Sequence, residues 1–290
     1  VNGIVIVDKP ESWTSHDVVA KLRGVFKTKR IGHGGTLDPM ATGVLPIFIG
    51  RATKAAEFCE NAEKEYLAGI RLGLVTDTQD IQGNVLESCE IPTSVSEEEI
   101  KSVISGFLGA GKQIPPMYSA VKINGVRLYK FARQGIDIPR PARDIFISEM
   151  ELMRIDGNEF MIRVACSKGT YIRTLAHDIG QALGTGGVMS SLRRTRAGAF
   201  SIGDALSLDE IIQAAAEGKA QDIILPTDSI FAAYSALKAD SQDAQRIKNG
   251  AACRVDDVPD GKVRIYGPEG EFLALGEGRA GRLAVVKSFF

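Results

Sequence analysis

The stretch Ile31-Gly32-His33-Gly34-Gly35-Thr36-Leu37-Asp38-Pro39-Met40-Ala41-Thr42-Gly43-Val44-Leu45-Pro46 sets one carboxylate, Asp38, and one imidazole, His33, among four glycines and two prolines. Glycine lets the backbone take φ > 0 or approach another group closely. Pro39 fixes its own φ and biases Asp38 towards an extended conformation. The stretch therefore reads as a shaped loop that presents a single carboxylate beside an imidazole. The chemistry on offer is that of one anionic nucleophile or one stabiliser of developing positive charge. Phosphate cradling is not indicated, because the Gly-Lys-Ser/Thr ending of a P-loop is missing and the glycines lack the dinucleotide spacing. By composition alone, Asp-Pro among glycines is also what an ordinary turn contains.

Several elements must position this loop. The apolar run Val44 to Ile49 predicts a buried strand directly after it, and Gly3 to Val7 predicts another, ended by Lys9-Pro10. Ser15 is placed to cap a helix with Val18, Val19, Leu22, Val25 and Phe26 at helical spacing. Lys21, Arg23, Lys27, Lys29 and Arg30 lead from that helix into the loop. Lys64 to Gly73 alternates, with Tyr66, Ala68, Ile70 and Leu72 on one face of a strand. On pattern alone Tyr66 is a core residue with a satisfied hydroxyl. Thr170 is placed to cap a helix with Ile172, Leu175, Ala176, Ile179 and Leu183 on one face. Arg173 falls in its first turn, off that face, where the helix dipole disfavours a cation. That position calls for a partner anion, or else for a solvated arginine.

Elsewhere, Arg51 to Asn61 predicts a helix after Gly50, and Thr76 to Gly83 a polar loop. Ser96-Glu97-Glu98-Glu99 is a capping box for a helix to about Leu108, and Ser207-Leu208-Asp209-Glu210 is a second one. Gln113-Ile114-Pro115-Pro116 is a break, and Asn124-Gly125 a two-residue hairpin turn. Val126 to Arg143 is basic and contains Tyr129 and Phe131; bases stack on such rings, although the buried face of a helix is the favoured reading. Asp144–Ile155 and Glu159–Cys166 read as two strands about Asp156-Gly157-Asn158, and Leu192 to Arg196 as a basic strand. From about Ser235 one helix, Ser241 to Asn249, precedes short strands and turns, which suggests a small β-barrel.

A chain of 290 residues with 44% hydrophobic side chains suits one large domain plus a small one. There is no apolar run of 18 residues, and Val1 to Val7 is too short for a signal-peptide core, so no membrane association is expected. Cys59, Cys89, Cys166 and Cys253 form no Cys-x-x-Cys pair; neither zinc nor a disulfide framework is indicated, and a reduced cytoplasm is the default. The net charge of −1 argues against a generic nucleic-acid binder. Charge is nevertheless segregated: residues 112–143 carry +6, residues 1–56 carry +4 and residues 168–196 carry +4, with acids gathered in 77–99 and after 200. Three such segments could share a face that collects a polyanion, or be ordinary solvated surface.

The run Gly32 to Leu45 resembles the catalytic-loop motif of the TruB family of tRNA pseudouridine synthases. Asp8-Lys9-Pro10, Glu65-Tyr66, Thr76-Asp77-Thr78-Gln79-Asp80 and Lys168-Gly169-Thr170-Tyr171-Ile172-Arg173 accompany it in the family's order. The likeness covers residues 1 to 230 well and the rest loosely. One departure is Gly34, where many relatives are expected to carry a small polar residue.

The resemblance implies an α+β pseudouridine-synthase fold over residues 1–232, a large mixed, mainly antiparallel sheet flanked by helices. It also implies a small C-terminal β-barrel-like PUA domain over 235–290. The implied activity is conversion of uridine to pseudouridine in the T-loop of tRNA, at position 55. Asp38 is then the catalytic carboxylate, with Arg173 paired to it and keeping it ionised. Tyr66 lies against the target base with a part in proton transfer from C5. His33 contacts the flipped nucleotide or fills its place, although a loop histidine satisfied by backbone is the plainer reading. Lys9, Tyr171 and Leu192 line the pocket, and Asp80 contacts RNA. No metal or organic cofactor is implied. The implied partner is the T-arm of tRNA, for a monomer needing neither guide RNA nor protein. A guide-RNA-dependent relative has a similar loop, but this chain lacks a long Lys-rich tail. A non-catalytic RNA chaperone is disfavoured because Asp38, Tyr66 and Arg173 are all intact.

Overall fold

A computed structural model of the chain describes residues 1–91, 95–249 and 258–290, so Cys253 lies outside the described residues. The chain forms two compact units. One comprises Val1–Pro39, Gly43–Glu60 and Ala197–Phe290; the other comprises Met40–Thr42 and Asn61–Arg196.

In the first unit the Thr42–Ile49 strand is the centre, as its apolar run predicts; Val44, Leu45, Ile47, Phe48 and Ile49 are fully buried. The Gly3–Lys9 strand pairs antiparallel with it, Gly3 opposite Ile49 and Lys9 opposite Gly43, and the short Ile31–His33 strand also pairs with its far end. The Ser15–Val25 helix buries Val18, Val19 and Leu22. Its cap is one residue earlier than the sequence suggests. Thr14 accepts from the Asp17 N–H while the Asp17 carboxylate accepts from Thr14, a complete capping box. Ser15 is thereby released to turn inward. The predicted Arg51–Asn61 helix is a Gly50–Ala55 3-10 turn followed by the Ala56–Asn61 helix.

The same unit holds the C-terminal sheet, Ser235–Lys238, Gly261–Tyr266, Phe272–Arg279 and Arg282–Ser288 in that order, with the first pair parallel and the others antiparallel. The Ser241–Lys248 helix packs on it over a local cluster of Ala244, Ile247, Val263, Ile265 and Leu273. Phe272, Leu275 and Phe289 instead join Ile4, Phe48, Ala52 and Phe231 in a core that spans the unit.

A polar clasp accompanies this shared core. The Tyr266 hydroxyl donates to Asp228, and Arg264 donates to the Tyr266 oxygen at 3.2 Å and to the Tyr234 carbonyl at 2.9 Å. Burial first, then the hydrogen bond to Asp228 and its charge, push the Tyr266 phenol up to about 12. The fold therefore favours neutral Tyr266. Its contribution is complete below the ordinary phenol value of about 10 and is lost as pH rises towards 12. Alkaline titration followed at 295 nm should show Tyr266 ionising late, towards pH 12, and Asp228→Asn should bring it part of the way back, since its burial remains. The absence of a late-ionising phase, or one that Asp228→Asn leaves unmoved, would refute the clasp.

The second unit is built on a sheet in the order Gly187–Ala197, Lys64–Leu72, Glu159–Cys166, Arg143–Asp156, Gly109–Gln113. Lys64–Leu72 runs antiparallel to Glu159–Cys166, with Tyr66 opposite Val164. The predicted alternation holds, for Ala68, Ile70, Leu72, Phe160, Ile162, Val164 and Cys166 are all buried. The other face is charged. Arg163 binds Glu65, Glu149 and Glu151, and Arg196 binds Glu63. The Thr195 hydroxyl and Arg163 hold Glu65 below the usual carboxylate range, and the Ser148 hydroxyl with Arg196 does the same for Glu63.

The Ser96 capping box starts the Glu97–Ser105 helix, and Asn124-Gly125 makes the expected hairpin with both residues at positive φ. Tyr129 and Phe131 sit half-buried on the short Leu128–Ala132 helix, where Arg133 and Arg127 flank the Tyr129 ring. Among the described residues no helix is long and apolar enough to cross a membrane.

Candidate active site

In the first unit, both neighbours of Asp38 are clamped. Ser15, 1% exposed, donates through its hydroxyl to the Leu37 carbonyl at 3.2 Å and accepts the Leu37 N–H at 2.9 Å. The Pro39 carbonyl accepts from the Ser12 N–H at 2.8 Å and from the Lys9 ammonium at 3.2 Å. Lys9 is fully buried and also donates to the carbonyls of Pro10 at 2.8 Å and Trp13 at 2.6 Å. Burying an ammonium is costly without such charge-assisted bonds. Its position is that of a brace under the loop. Asp38 itself is half-buried between these fixed points.

His33 is half-buried. Its Nδ1 accepts from the Gly35 N–H at 3.3 Å, and its ring meets His16 edge-on at 5.4 Å. The backbone-satisfied reading thus describes Nδ1, which fixes the ring. Gly34 has a steric reason. A Cβ there would lie 2.7 Å from the Phe48 ring and 2.8 Å from Cys59 Sγ. These two side chains fill the space that a small polar residue would need.

In the second unit, Arg173 is buried at 6% exposure rather than solvated. Its guanidinium donates to the Thr78 carbonyl at 3.0 Å and the Tyr118 carbonyl at 2.8 Å, and lies 3.9 Å from the Asp80 carboxylate. A partner anion is therefore present, from the polar loop read at Thr76 to Gly83. Asp80 is buried, and its Oδ1 accepts from the Thr78 hydroxyl at 2.7 Å and the Gln82 N–H at 3.1 Å. Tyr171, not Thr170, is the N-cap of the Ile172–Ala182 helix. The amide of Gln113 grips the Tyr171 backbone, and Thr174 donates to Gln79 at 2.8 Å. Tyr66, half-buried, and Leu192, buried, stand on neighbouring strands of the sheet.

Ser15 and Gln113 escaped the sequence reading, the first taken for a cap and the second for part of a break. The Thr14-x-x-Asp17 spacing of a capping box would have freed Ser15.

The three-segment basic face needs correction. In 168–196, Arg173 and Arg194 are buried, Arg196 is tied to Glu63 at 2.8 Å and Arg193 donates to the Thr42 hydroxyl at 3.2 Å. These cations serve the interior. Solvent-facing positive charge comes from Lys21, Arg23, Lys27, Lys29, Arg30 and Arg51, from Lys112, Lys122, Arg127, Lys130, Arg133 and Arg143, and in 168–196 from Lys168. A cleft of about 740 Å³ in the second unit, lined by Gln79, Ile114, Tyr118, Arg140, Thr174 and His177 among others, shares Tyr118 with the Arg173 shell. The expected site residues do not line it.

Residues 23–172 match the family model described as TruB family pseudouridylate synthase (N terminal domain), and residues 173–232 match the tRNA pseudouridylate synthase B C-terminal domain. The chain is 41% identical to a Clostridium tetani protein named tRNA pseudouridine synthase B, over 99% of each chain. It is 39% identical to a protein of the same name from Geobacillus thermodenitrificans, over 99% of this chain and 98% of the other. Among solved structures it is similar to a chain of a Cbf5-Nop10-Gar1 complex, with a TM-score of 0.77 and 28% identity over 99% of this chain and 85% of that one. It is also similar to a chain of an H/ACA RNP bound to a substrate RNA containing 2'-deoxyuridine, with a TM-score of 0.75 and 26% identity over 99% and 85%.

Proposed function

The chain belongs to the TruB family of pseudouridylate synthases, and from that premise we propose that it converts uridine to pseudouridine in tRNA, at T-loop position 55, without guide RNA or protein partner. The reaction breaks the N1–C1′ bond, turns the uracil and forms a C5–C1′ bond. C5 gives up its proton and N1 gains one, so no oxidant, reductant or water is consumed. One carboxylate suffices, because no water must be activated as it is in glycoside hydrolysis. Asp38 supplies it, whether by attack at C1′, by attack at C6 or by stabilising an elimination. Arg173 is its cation, Tyr66 lies against the base and takes part in moving the C5 proton, and His33 meets the flipped nucleotide. Tyr171 and Leu192 wall the pocket. Lys9 acts from beneath as the brace of the loop, and Asp80 acts at the RNA side and on Arg173. Residues 235–290 are a PUA-like RNA-binding segment, and the enzyme works as a cytoplasmic monomer.

The observation that carries this reading is the clamping of Leu37 and Pro39 on either side of Asp38. A carboxylate that must meet one carbon of a flipped nucleotide needs a fixed backbone, and an ordinary turn does not. The test is purified protein alone with an unmodified T-arm hairpin, scored for pseudouridine at the T-loop uridine. Product at that position is the expected result. Product only with a guide RNA, or at another uridine, would overturn the assignment.

A further inference from the structure

The Ile172–Ala182 helix starts without a side-chain cap of its own; Tyr171 is its N-cap residue, at φ −94° and ψ 112°. Another element supplies what is missing. Gln113, the last residue of the Gly109–Gln113 strand and 4% exposed, donates from Nε2 to the Tyr171 carbonyl at 3.0 Å. Its Oε1 accepts the Tyr171 N–H at 2.7 Å. In a capping box a Glu or Gln within the helix reaches back to the N–H of the cap residue. Here the amide arrives from 58 residues away and takes the carbonyl as well. A carboxamide suits this because donor and acceptor lie side by side in one plane.

Tyr118, just beyond, accepts from Arg173 Nη2 at 2.8 Å. The segment Gln113 to Tyr118 is therefore fastened twice to one helix start, by backbone at Tyr171 and by guanidinium at Arg173. Pro115 and Pro116, both buried, stiffen it between the two fastenings. Arg173 is the second residue of its helix, where the dipole opposes a cation. Its placement depends on acceptors brought from outside the helix.

We propose that Gln113 is a positioning residue for the isomerisation: by gripping Tyr171 it aligns the helix start and the Tyr118 carbonyl, and so aims the Arg173 guanidinium. This rests on Arg173 being the cation of the proposed site.

The test compares single-turnover rates at saturating T-arm hairpin, hairpin affinity and melting temperature for Gln113→Met, Gln113→Glu, Arg173→Lys and the Gln113→Met/Arg173→Lys double variant. Gln113→Met, similar in volume but unable to make either bond, is expected to lose at least about tenfold in rate, with affinity within about threefold of wild type and a folded protein at the assay temperature. The double variant should lose much less than the product of the single losses, because both changes disturb one group. Gln113→Glu should be impaired at neutral pH, where two oxygens face the Tyr171 carbonyl. Its rate relative to wild type should rise as pH falls, because a protonated carboxyl again offers a donor beside an acceptor. A rate unchanged in Gln113→Met, or a loss explained wholly by affinity or unfolding, overturns the proposal. If Gln113→Met fails to fold, the pH response of Gln113→Glu decides, and a flat ratio overturns it. Full turnover in Arg173→Lys, which keeps the charge but not the planar fork, would instead remove the reading of Arg173 on which the proposal rests.

Discussion

Asp38→Asn is expected to abolish pseudouridine formation while tRNA stays bound. Asn has the size and shape of Asp but neither its charge nor its nucleophilicity. The loop should survive the change, because Ser15 and Lys9 hold it through the backbone of Leu37 and Pro39. Binding should survive because phosphate contacts dominate affinity, and the solvent-facing cations at 21–30 and 112–143 are untouched. The expected loss in single-turnover rate exceeds about a hundredfold, or ~2.7 kcal/mol of barrier, with affinity for unmodified tRNA within a few-fold of wild type. A residual rate within about tenfold, under ~1.4 kcal/mol, would show that the carboxylate is not at the reacting centre.

What could be read in the sequence was what short-range pattern determines. The Val44–Ile49 run and the Phe160, Ile162, Val164, Cys166 alternation report burial directly, and each became a buried strand segment. The Asn124-Gly125 turn and the Ser96 and Ser207 boxes are complete within four residues, so nothing distant could override them. The residues of the proposed site stand in a motif that the sequence displays, but their supports were not legible. For Arg173 the sequence called for a partner anion or else a solvated side chain and could not choose, because Thr78 and Tyr118, whose carbonyls it binds, lie 95 and 55 residues away. Gln113 looked like a break because an amide's use depends on which backbone comes beside it. Gly34 looked like a departure because Phe48 and Cys59, which require it, are brought there only by the folded sheet and helix. The charge count failed for a related reason: sequence sums Arg173 and Arg194 with surface lysines, although burial assigns them to the interior.

Removing Ser235–Phe290 is expected to unfold the first unit, not merely to trim an appendage. The proposed boundary at 232–235 coincides with the end of the family models at residue 232, but the apolar core continues past it. Leu275 is fully buried and Phe289 is 5% exposed, both among Ile4, Phe48, Ala52 and Phe231. Phe231 has the rings of Phe272 at 6.1 Å and Phe289 at 5.8 Å, so truncation would expose it on that side. Deleting a buried large side chain costs roughly 2–5 kcal/mol, and a domain has about 5–15 kcal/mol in all. Loss of Leu275 and Phe289 alone therefore removes most of that margin. The Tyr266–Asp228 bond and the Lys54 bond to the Ser288 carbonyl go with them. Chain 1–234 should aggregate, or lose its cooperative melt by circular dichroism, and Phe289→Ala in the full chain should cost about 3–5 kcal/mol in urea unfolding. The RNA-binding part proposed for this segment is then to be tested by changing exposed charges on its sheet, since a truncated protein that does not fold reports nothing about tRNA. If chain 1–234 melts within a few degrees of the full chain, Leu275 and Phe289 only cover a core that is stable without them, and the segment is a separable module.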